Sequence, residues 1–409
     1  MGRCRTNARR RAARNAKSRR ALGRSGMGGQ ATMTDEAFVT LAAAGDVGTG
    51  HEPPGSSFEH VLGILRTADI RFAQVERLYS ERGAFQGQGA GFHTRQRPAM
   101  AEAFKSVPFN VLSIGSNHTG DWGPDAVIDT IETFRKLGIP TIGAGRDIEE
   151  ARKPALLQCK GFRIAFLGYV SVLLPQYWAT EERAGAAPMR AHTFYQPYEY
   201  QPGAPARVVT VPDADDLAAL VHDVRAAREQ ADFVFVSLHW GVHYVPAPAD
   251  YQPLVAHAII DAGATAVLGH HPHQQQGIEL YGDGIIFYSI GNFAFHRRSG
   301  PPAACMPDGR YLHKAVYSIE PEPGVTFDYR RHYNEGGVAF IQVDGKGLRA
   351  VHYLPTLLNA LGQPEPMKRE DPQFEKSLAY LNWAGKFIKG GLTEMTASGD
   401  RYEIYRRPA

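Results

Sequence analysis

Three histidines fall within four positions in AVLGHHPHQQQ, residues 266–276, directly after a short apolar run. Imidazoles spaced this closely either decorate a surface or converge on a cation, and Pro272 bears on the choice. It biases His271 toward extended backbone, where residues two apart face the same side. His271 and His273 are therefore expected to share a metal centre, while His270 points away and packs or hydrogen-bonds. Other apolar runs end in the same way: Asp46 closes LAAAGDV, Glu76 closes RFAQVE, Asn117 and His118 follow VLSIGS, and His239 closes VFVSLH. Ligands of open α/β sheets bind beyond the carboxyl ends of the strands, so one topology gathers these side chains into one crevice. Imidazole, carboxylate and amide oxygen form a hard, mixed donor set that serves manganese, zinc or iron alike.

Neighbouring residues add acid–base chemistry. In SNHTGDWG, residues 116–123, Asn117 offers an amide oxygen to a metal and His118 is placed to face a substrate. Asp121 either orients the His118 ring through one nitrogen or caps the following helix with Asn117. In HWGVHY, residues 239–244, His239 is read as a ligand and Trp240 or Tyr244 as a pocket wall, against a core aromatic cluster around a satisfied histidine. His243 is left undecided, and His51 in GTGH is the weakest histidine candidate. Asn292, in FYSIGNFAFH, either lines the pocket or serves a tight turn. The glycines of TIGAGR lack the spacing of a phosphate-cradling or dinucleotide loop.

From residue 38, β-rich runs alternate with helical patterns: FVTLAAAGDV then SFEHVLGILRTA, FAQVE, FNVLSIG then AVIDTIETFRKLG. This rhythm predicts βαβ units and a parallel or mixed sheet flanked by helices. ALLQCKGFRIAFLGYV reads instead as a hairpin turned at Lys160-Gly161, hence a second sheet. Residues 172–211, rich in Pro, Tyr, Gln and Ala, read as an insertion or lid. The rhythm resumes with a helix over 213–230, strand DFVFVSL, helix YQPLVAHAIIDAG, and the runs TAVLG, GIEL and IIFYSIG. Signals weaken after residue 300, leaving strands VAFIQVD and RAVHYLP and a helix over 373–388. The organisation expected is a tail at 1–33, a main domain at 34–300, and a C-terminal extension at 301–409 packing on or completing it.

Composition fits a globular chain: hydrophobic residues are 43% and charged residues 21% of 409. No apolar run approaches the roughly 18 to 20 residues that cross a bilayer. Cys4, Cys159 and Cys305 are few, odd in number and far apart, so neither a disulfide frame nor a zinc knuckle is expected and a reducing compartment is the default. Residues 1–26 hold ten Arg or Lys and no acid, so a whole-chain charge of +3 leaves the remainder at −7. The tail lacks aromatic residues for base stacking, which argues against nucleic acid, and it lacks the apolar core of a secretory signal. The location expected is cytoplasmic, with peripheral membrane association left open.

In order, GDV, VE, SNHTGDWG, GIPTIGAGRDIEEARKP, FRIAFLGY, SLHWGVHY, IDAGATAVLGHHPHQQQGIELY and IIFYSIGNF resemble the CapA family, linked to capsule and poly-γ-glutamate synthesis, over about residues 38–296. The resemblance implies a calcineurin-like metallophosphoesterase fold: a four-layer α/β/β/α sandwich with two facing mixed sheets and metal-binding loops at the strand ends. It assigns Asp46 and Glu76 as carboxylate ligands with Glu76 the bridging acid, Asn117 as amide ligand, His239, His271 and His273 as imidazole ligands, and His118 as the histidine facing the substrate. One or two divalent transition metals (Mn, Zn or Fe) are implied, with a small-molecule or γ-glutamyl polymer substrate. The activity implied is hydrolysis of a phosphoester or γ-glutamyl amide; the alternatives are a metal-dependent transferase or ligase of polymer assembly and a binding protein with a vestigial site. The sequence departs from the pattern at Gly48, where the wider fold family has His, at Gln74-Val75-Glu76 in place of NLE, at Ser116-Asn117-His118 in place of NNH, and at His243 in place of Glu.

Overall fold

Period-two alternation along the strands sorts their side chains onto two faces. In strand Phe38–Gly48, Val39, Leu41 and Ala43 face one apolar cluster while Ala42, Ala44 and Val47 face another. Strand Phe233–His239 divides likewise, with Phe233 and Phe235 in the first cluster and Val234, Val236 and Leu238 in a third. A strand buried on both faces must lie between two layers. The structure, a computed structural model, describes residues 37–408 apart from 87–94, 198, 205, 297–320, 326 and 390–392. The basic tail at 1–33 lies outside the described residues.

Two large sheets share the first cluster. One runs in the order Thr396–Ser398, Arg401–Arg406, Gly347–Leu358, Glu335–Asp344, Phe38–Gly48, Ile70–Val75, Val111–Ser113, Thr141–Ile142, with Asn292–Phe295 also pairing with Phe38–Gly48. The other runs Ile278–Tyr281, Gly284–Phe287, Ala266–His270, Phe233–His239, Phe162–Val170, Ala155–Cys159. Both mix parallel and antiparallel pairs. Phe72, Phe166 and Phe235 from the two sheets stack in the space between them. Helix Pro124–Lys136 buries Val127, Ile131 and Phe134 on the outer face of the first sheet. Helices Ala214–Gln230 and Tyr251–Asp261 bury Leu220, Val224, Val255 and Ile259 on the outer face of the second. The result is the expected four-layer α/β/β/α sandwich with two facing mixed sheets.

Local chemistry sets the boundaries. Pro124 opens its helix at the first turn, where the missing N–H costs nothing. Asp213 caps helix Ala214–Gln230 by accepting from the Asp216 N–H at 3.1 Å. Lys160 and Gly161 both take positive φ, 49° and 85°, as a two-residue hairpin turn requires. The helix expected at SFEHVLGILRTA shrinks to a 3-10 turn at Pro54–Phe58 and one α turn at Leu62–Leu65. No side chain caps that α turn, and Gly63 weakens it. The stretch 172–211 contains an antiparallel ribbon, Ala191–Pro197 with Ala206–Pro212.

Candidate metal centre

The first sheet carries Asp46 to the site through a close backbone approach. A Cβ on Gly45 would lie 1.9 Å from the Gly291 carbonyl oxygen, so only glycine lets the Asp46 N–H donate to that oxygen at 3.0 Å. Pairing with Ile70–Val75 shifts register between Ala43 and Asp46, which brings Asp46 opposite Gln74, while the adjoining strand sets it opposite Asn292. Glu76 follows, its N–H donating to Val47 O at 2.9 Å. Asn117 and His118 ride a turn held by Ser116 and Thr119: Ser116 N donates to Thr119 Oγ1 at 2.8 Å and His118 N to Ser116 Oγ at 3.1 Å. The second sheet contributes His239, the last residue of its strand and in register with His270.

The loop after His270 departs from expectation. His271 and His273 have φ of 98° and 55°, so the chain turns through the left-handed region instead of running extended. Bonds from outside the loop accompany this conformation: the His271 N–H donates to Asp46 Oδ2 at 3.1 Å, and the Tyr244 N–H to Pro272 O at 2.8 Å. Tertiary contacts thus override the bias of one proline, and both rings reach the site by the turn. His270 packs its ring against Phe72, as expected of a packing residue, yet its Nδ1 also comes 3.4 Å from Asp46 Oδ1.

The side chains of Asp46, Glu76, Asn117, His239, His271 and His273 meet. His239 Nε2 lies 2.9 Å from Asn117 Oδ1, 3.4 Å from Glu76 Oε1 and 3.2 Å from His271 Nδ1. His273 Nε2 lies 3.6 Å from Glu76 Oε2, and its Nδ1 is 4.0 Å from Asp46 Oδ2. Asp46, Glu76 and His239 each offer a ligand atom, all within 4.8 Å of one another. Burial holds the His239 and His271 imidazoles well below their ordinary proton affinity, and the neighbouring histidines add to it. Burial also lowers His273. Burial and the Asp46 carboxylate push the Glu76 carboxyl well above the usual range.

This donor set fits a cation. Neutral imidazoles, an amide oxygen and two carboxylates present lone pairs to one another, and one proton on His239 Nε2 serves at most one of its three neighbours. Asp46 Oδ1 and Glu76 Oε1 are buried without a hydrogen-bond partner, an arrangement costly unless a positive charge sits among them. Asn292 fixes the His273 tautomer: its amide N–H donates to Tyr333 O at 2.7 Å, so its Oδ1 accepts from His273 Nδ1 at 2.8 Å. The His273 Nε2 lone pair then faces Glu76, as in a metal-binding imidazole held by an outer partner. His118 stands beside this cluster, with Asn117 Nδ2 3.4 Å from its Nε2 and Asp121 Oδ2 2.7 Å from its Nδ1. Gly123, with no side-chain contribution, caps the next helix, so Asp121 serves His118 rather than the helix end.

One expectation for the HWGVHY motif changes, and two open histidines find their places. Trp240 does not wall the hollow: it is fully buried in the outer core of the second sheet, stacked on Tyr288, with its Nε1–H donating to Tyr288 O at 2.9 Å. Strand alternation sends position 240 to the opposite face from His239. His243 does reach the site, its ring centroid 3.9 Å from that of His271, with Tyr244 stacked on it. His51 lies apart from the hollow, between Ser57 Oγ at 3.0 Å and Leu361 O at 2.9 Å. Sequence reasoning missed Tyr333, whose ring lies 5.7 Å from that of His273, and Arg77 beside Glu76. Tyr333 carries no local signal; Arg77 follows a candidate ligand directly.

The family described as "Bacterial capsule synthesis protein PGA_cap" matches residues 33–297. The chain belongs to this family. "Capsule biosynthesis protein CapA" of Bacillus anthracis is 30% identical over 244 residues, 58% of this chain and 53% of that one. "PGA biosynthesis protein CapA" of Bacillus subtilis (strain 168) is 29% identical over 241 residues, 59% of this chain and 57% of that one. The match thus spans little more than half the length of these curated relatives of the PGA_cap family. "Uncharacterized protein y4sH" of Sinorhizobium fredii is 27% identical over 347 residues, 72% of each chain. A crystal structure of a hypothetical protein from Thermus thermophilus superimposes with a TM-score of 0.42 at 16% identity, over 77% of this chain and 98% of that one. Among the described residues no helix is long and apolar enough to cross a membrane.

Proposed function

We propose that this PGA_cap protein is a metal-dependent hydrolase that cleaves a γ-glutamyl amide or a phosphoester in the synthesis of a capsule-type polymer. One observation carries the reading: donor atoms from the strand ends of two sheets converge, with buried carboxylate oxygens of Asp46 and Glu76 that accept no hydrogen bond. Asp46, Glu76, Asn117, His239, His271 and His273 would hold one or two divalent ions. When bound, such an ion polarises an electrophile and lowers the pKa of water, supplying a nucleophile at neutral pH.

The protein's own groups complete the reaction. In hydrolysis, water oxygen bonds to the carbonyl carbon or phosphorus, the bond to the leaving nitrogen or oxygen breaks, and the leaving atom takes a proton. His118 is the donor of that proton. Asp121 holds its Nδ1–H, so a second proton on the ring sits on Nε2, on the side of Asn117 and the hollow. The partly exposed position of His118 beside the buried Asp46, Glu76, His239 and His271 suits a group that meets substrate at the mouth.

The test is a panel of phosphomonoesters, phosphodiesters and γ-glutamyl amides, assayed with manganese, zinc and iron against His118→Ala. Metal-dependent turnover of one class that falls about 10²- to 10⁴-fold in the variant supports the reading. Metal-independent turnover removes the metal from the reaction, and no turnover of any substrate with metal bound replaces hydrolysis with polymer assembly or plain binding.

A further inference from the structure

What fills the place beside Gly48 bears on how many cations the hollow takes. A Cβ on Gly48 would lie 2.9 Å from Arg77 Nε and 3.0 Å from two ring carbons of Phe295. Phe295 also meets the His273 ring edge-on, centroids 5.5 Å apart, so the filled space adjoins the His273 side of the hollow. Arg77 is pinned there: one terminal nitrogen donates to Thr49 O at 3.0 Å and the other to His296 O at 3.4 Å. A guanidinium is protonated at every working pH, so the charge it brings is permanent. Arg77 follows Glu76 directly, and its Nε borders the space beside Gly48, two residues from Asp46, so that charge is held on the Gly48 side of the hollow.

These contacts bear on a second cation in two ways. Position 48 has no side chain to supply a ligand, and the volume one would occupy belongs to Phe295 and Arg77. Any ion entering from that side would also meet a fixed like charge, in surroundings where charges interact strongly. We propose that Arg77 serves as a built-in positive charge in place of a second cation, so that the hollow of Asp46, Glu76 and His239 binds a single divalent ion. The inference rests on the metal-dependent reading above and concerns how many ions that site holds.

The test is equilibrium dialysis of the full chain against manganese, with the electron paramagnetic resonance spectrum of the bound ion as a readout independent of activity. Wild type is expected to saturate at about one ion per chain with the six-line signal of an isolated manganese, without exchange coupling. Arg77→Gln, which removes a like charge, is expected to bind that ion about threefold to tenfold tighter; Arg77→Lys, which keeps the charge, is expected to stay near wild type. Two coupled ions in wild type overturn this inference and leave the metal-dependent function standing, as does equal affinity in all three proteins. No bound manganese, zinc or iron in wild type overturns the metal-dependent function itself and this inference with it. Should Arg77→Gln fail to fold, the wild-type stoichiometry and spectrum decide alone.

Discussion

The backbone N–H of His271 donates to Asp46 Oδ2 at 3.1 Å, joining residues 225 positions apart on the two sheets. One carboxylate thus anchors the histidine loop and offers its other oxygen to the hollow. Asp46→Ala leaves that buried N–H without an acceptor and is expected to cost about 1–3 kcal/mol in urea unfolding. Asp46→Asn keeps a carbonyl acceptor, so its stability is expected within about 1 kcal/mol of wild type while its affinity for manganese falls at least about tenfold for loss of the charge. Asp46→Asn binding manganese as tightly as wild type would remove Asp46 from the ligand set.

His118 and Asp121 separate proton transfer from metal binding. His118→Ala is expected to lower kcat by about 10²- to 10⁴-fold with metal content unchanged. Asp121→Asn, which replaces the carboxylate holding Nδ1, is expected to lower kcat by about 10- to 100-fold. Elemental analysis beside steady-state kinetics checks both. Loss of metal in His118→Ala would make His118 a ligand and not the proton donor.

The alternation of β-rich and helical runs made a mixed sheet flanked by helices legible, while the four layers followed only from the family resemblance: Phe233, Val234, Phe235 and Val236 are all apolar, so their division between two clusters shows only in the structure. The strand-end residues Asp46, Glu76, Asn117 and His239 were legible because polar side chains stand out after apolar runs. Two things were not. The left-handed backbone at His271 and His273 accompanies bonds to Asp46 and from Tyr244, partners distant in sequence, so the local bias of Pro272 gave the wrong conformation. The place of Glu335–Asp344 beside the first strand was equally hidden, since antiparallel partners separated by some 300 residues leave no local trace.

His51 gives a pH dependence whose sign follows from burial. The residue is 4% exposed, and burial lowers its pKa from 6.5 to about 4. Below pH 6.5 the unfolded chain takes up a proton that the folded chain refuses, so this contribution is complete above 6.5 and is lost as pH falls toward 4. His51→Gln removes the titrating group while offering a donor to the Leu361 carbonyl. Urea unfolding at pH 7 and pH 4.5 is expected to show a smaller loss on acidification in His51→Gln than in wild type. Equal losses in the two proteins would show that His51 plays no part in the acid sensitivity.

Trp240 tests whether a residue adjacent to a ligand belongs to the pocket or the core. The indole stacks on Tyr288 and donates to its carbonyl, on the side of the sheet away from the hollow. Trp240→Phe keeps an aromatic ring but strands that buried carbonyl and removes volume, so a loss of about 1–3 kcal/mol is expected. KM and metal content are expected to stay at wild-type values, because the His239 strand remains paired on both sides with Phe162–Val170 and Ala266–His270. A severalfold rise in KM at unchanged stability would instead return Trp240 to the substrate wall, and with it the reading that His239 and Trp240 face the same space.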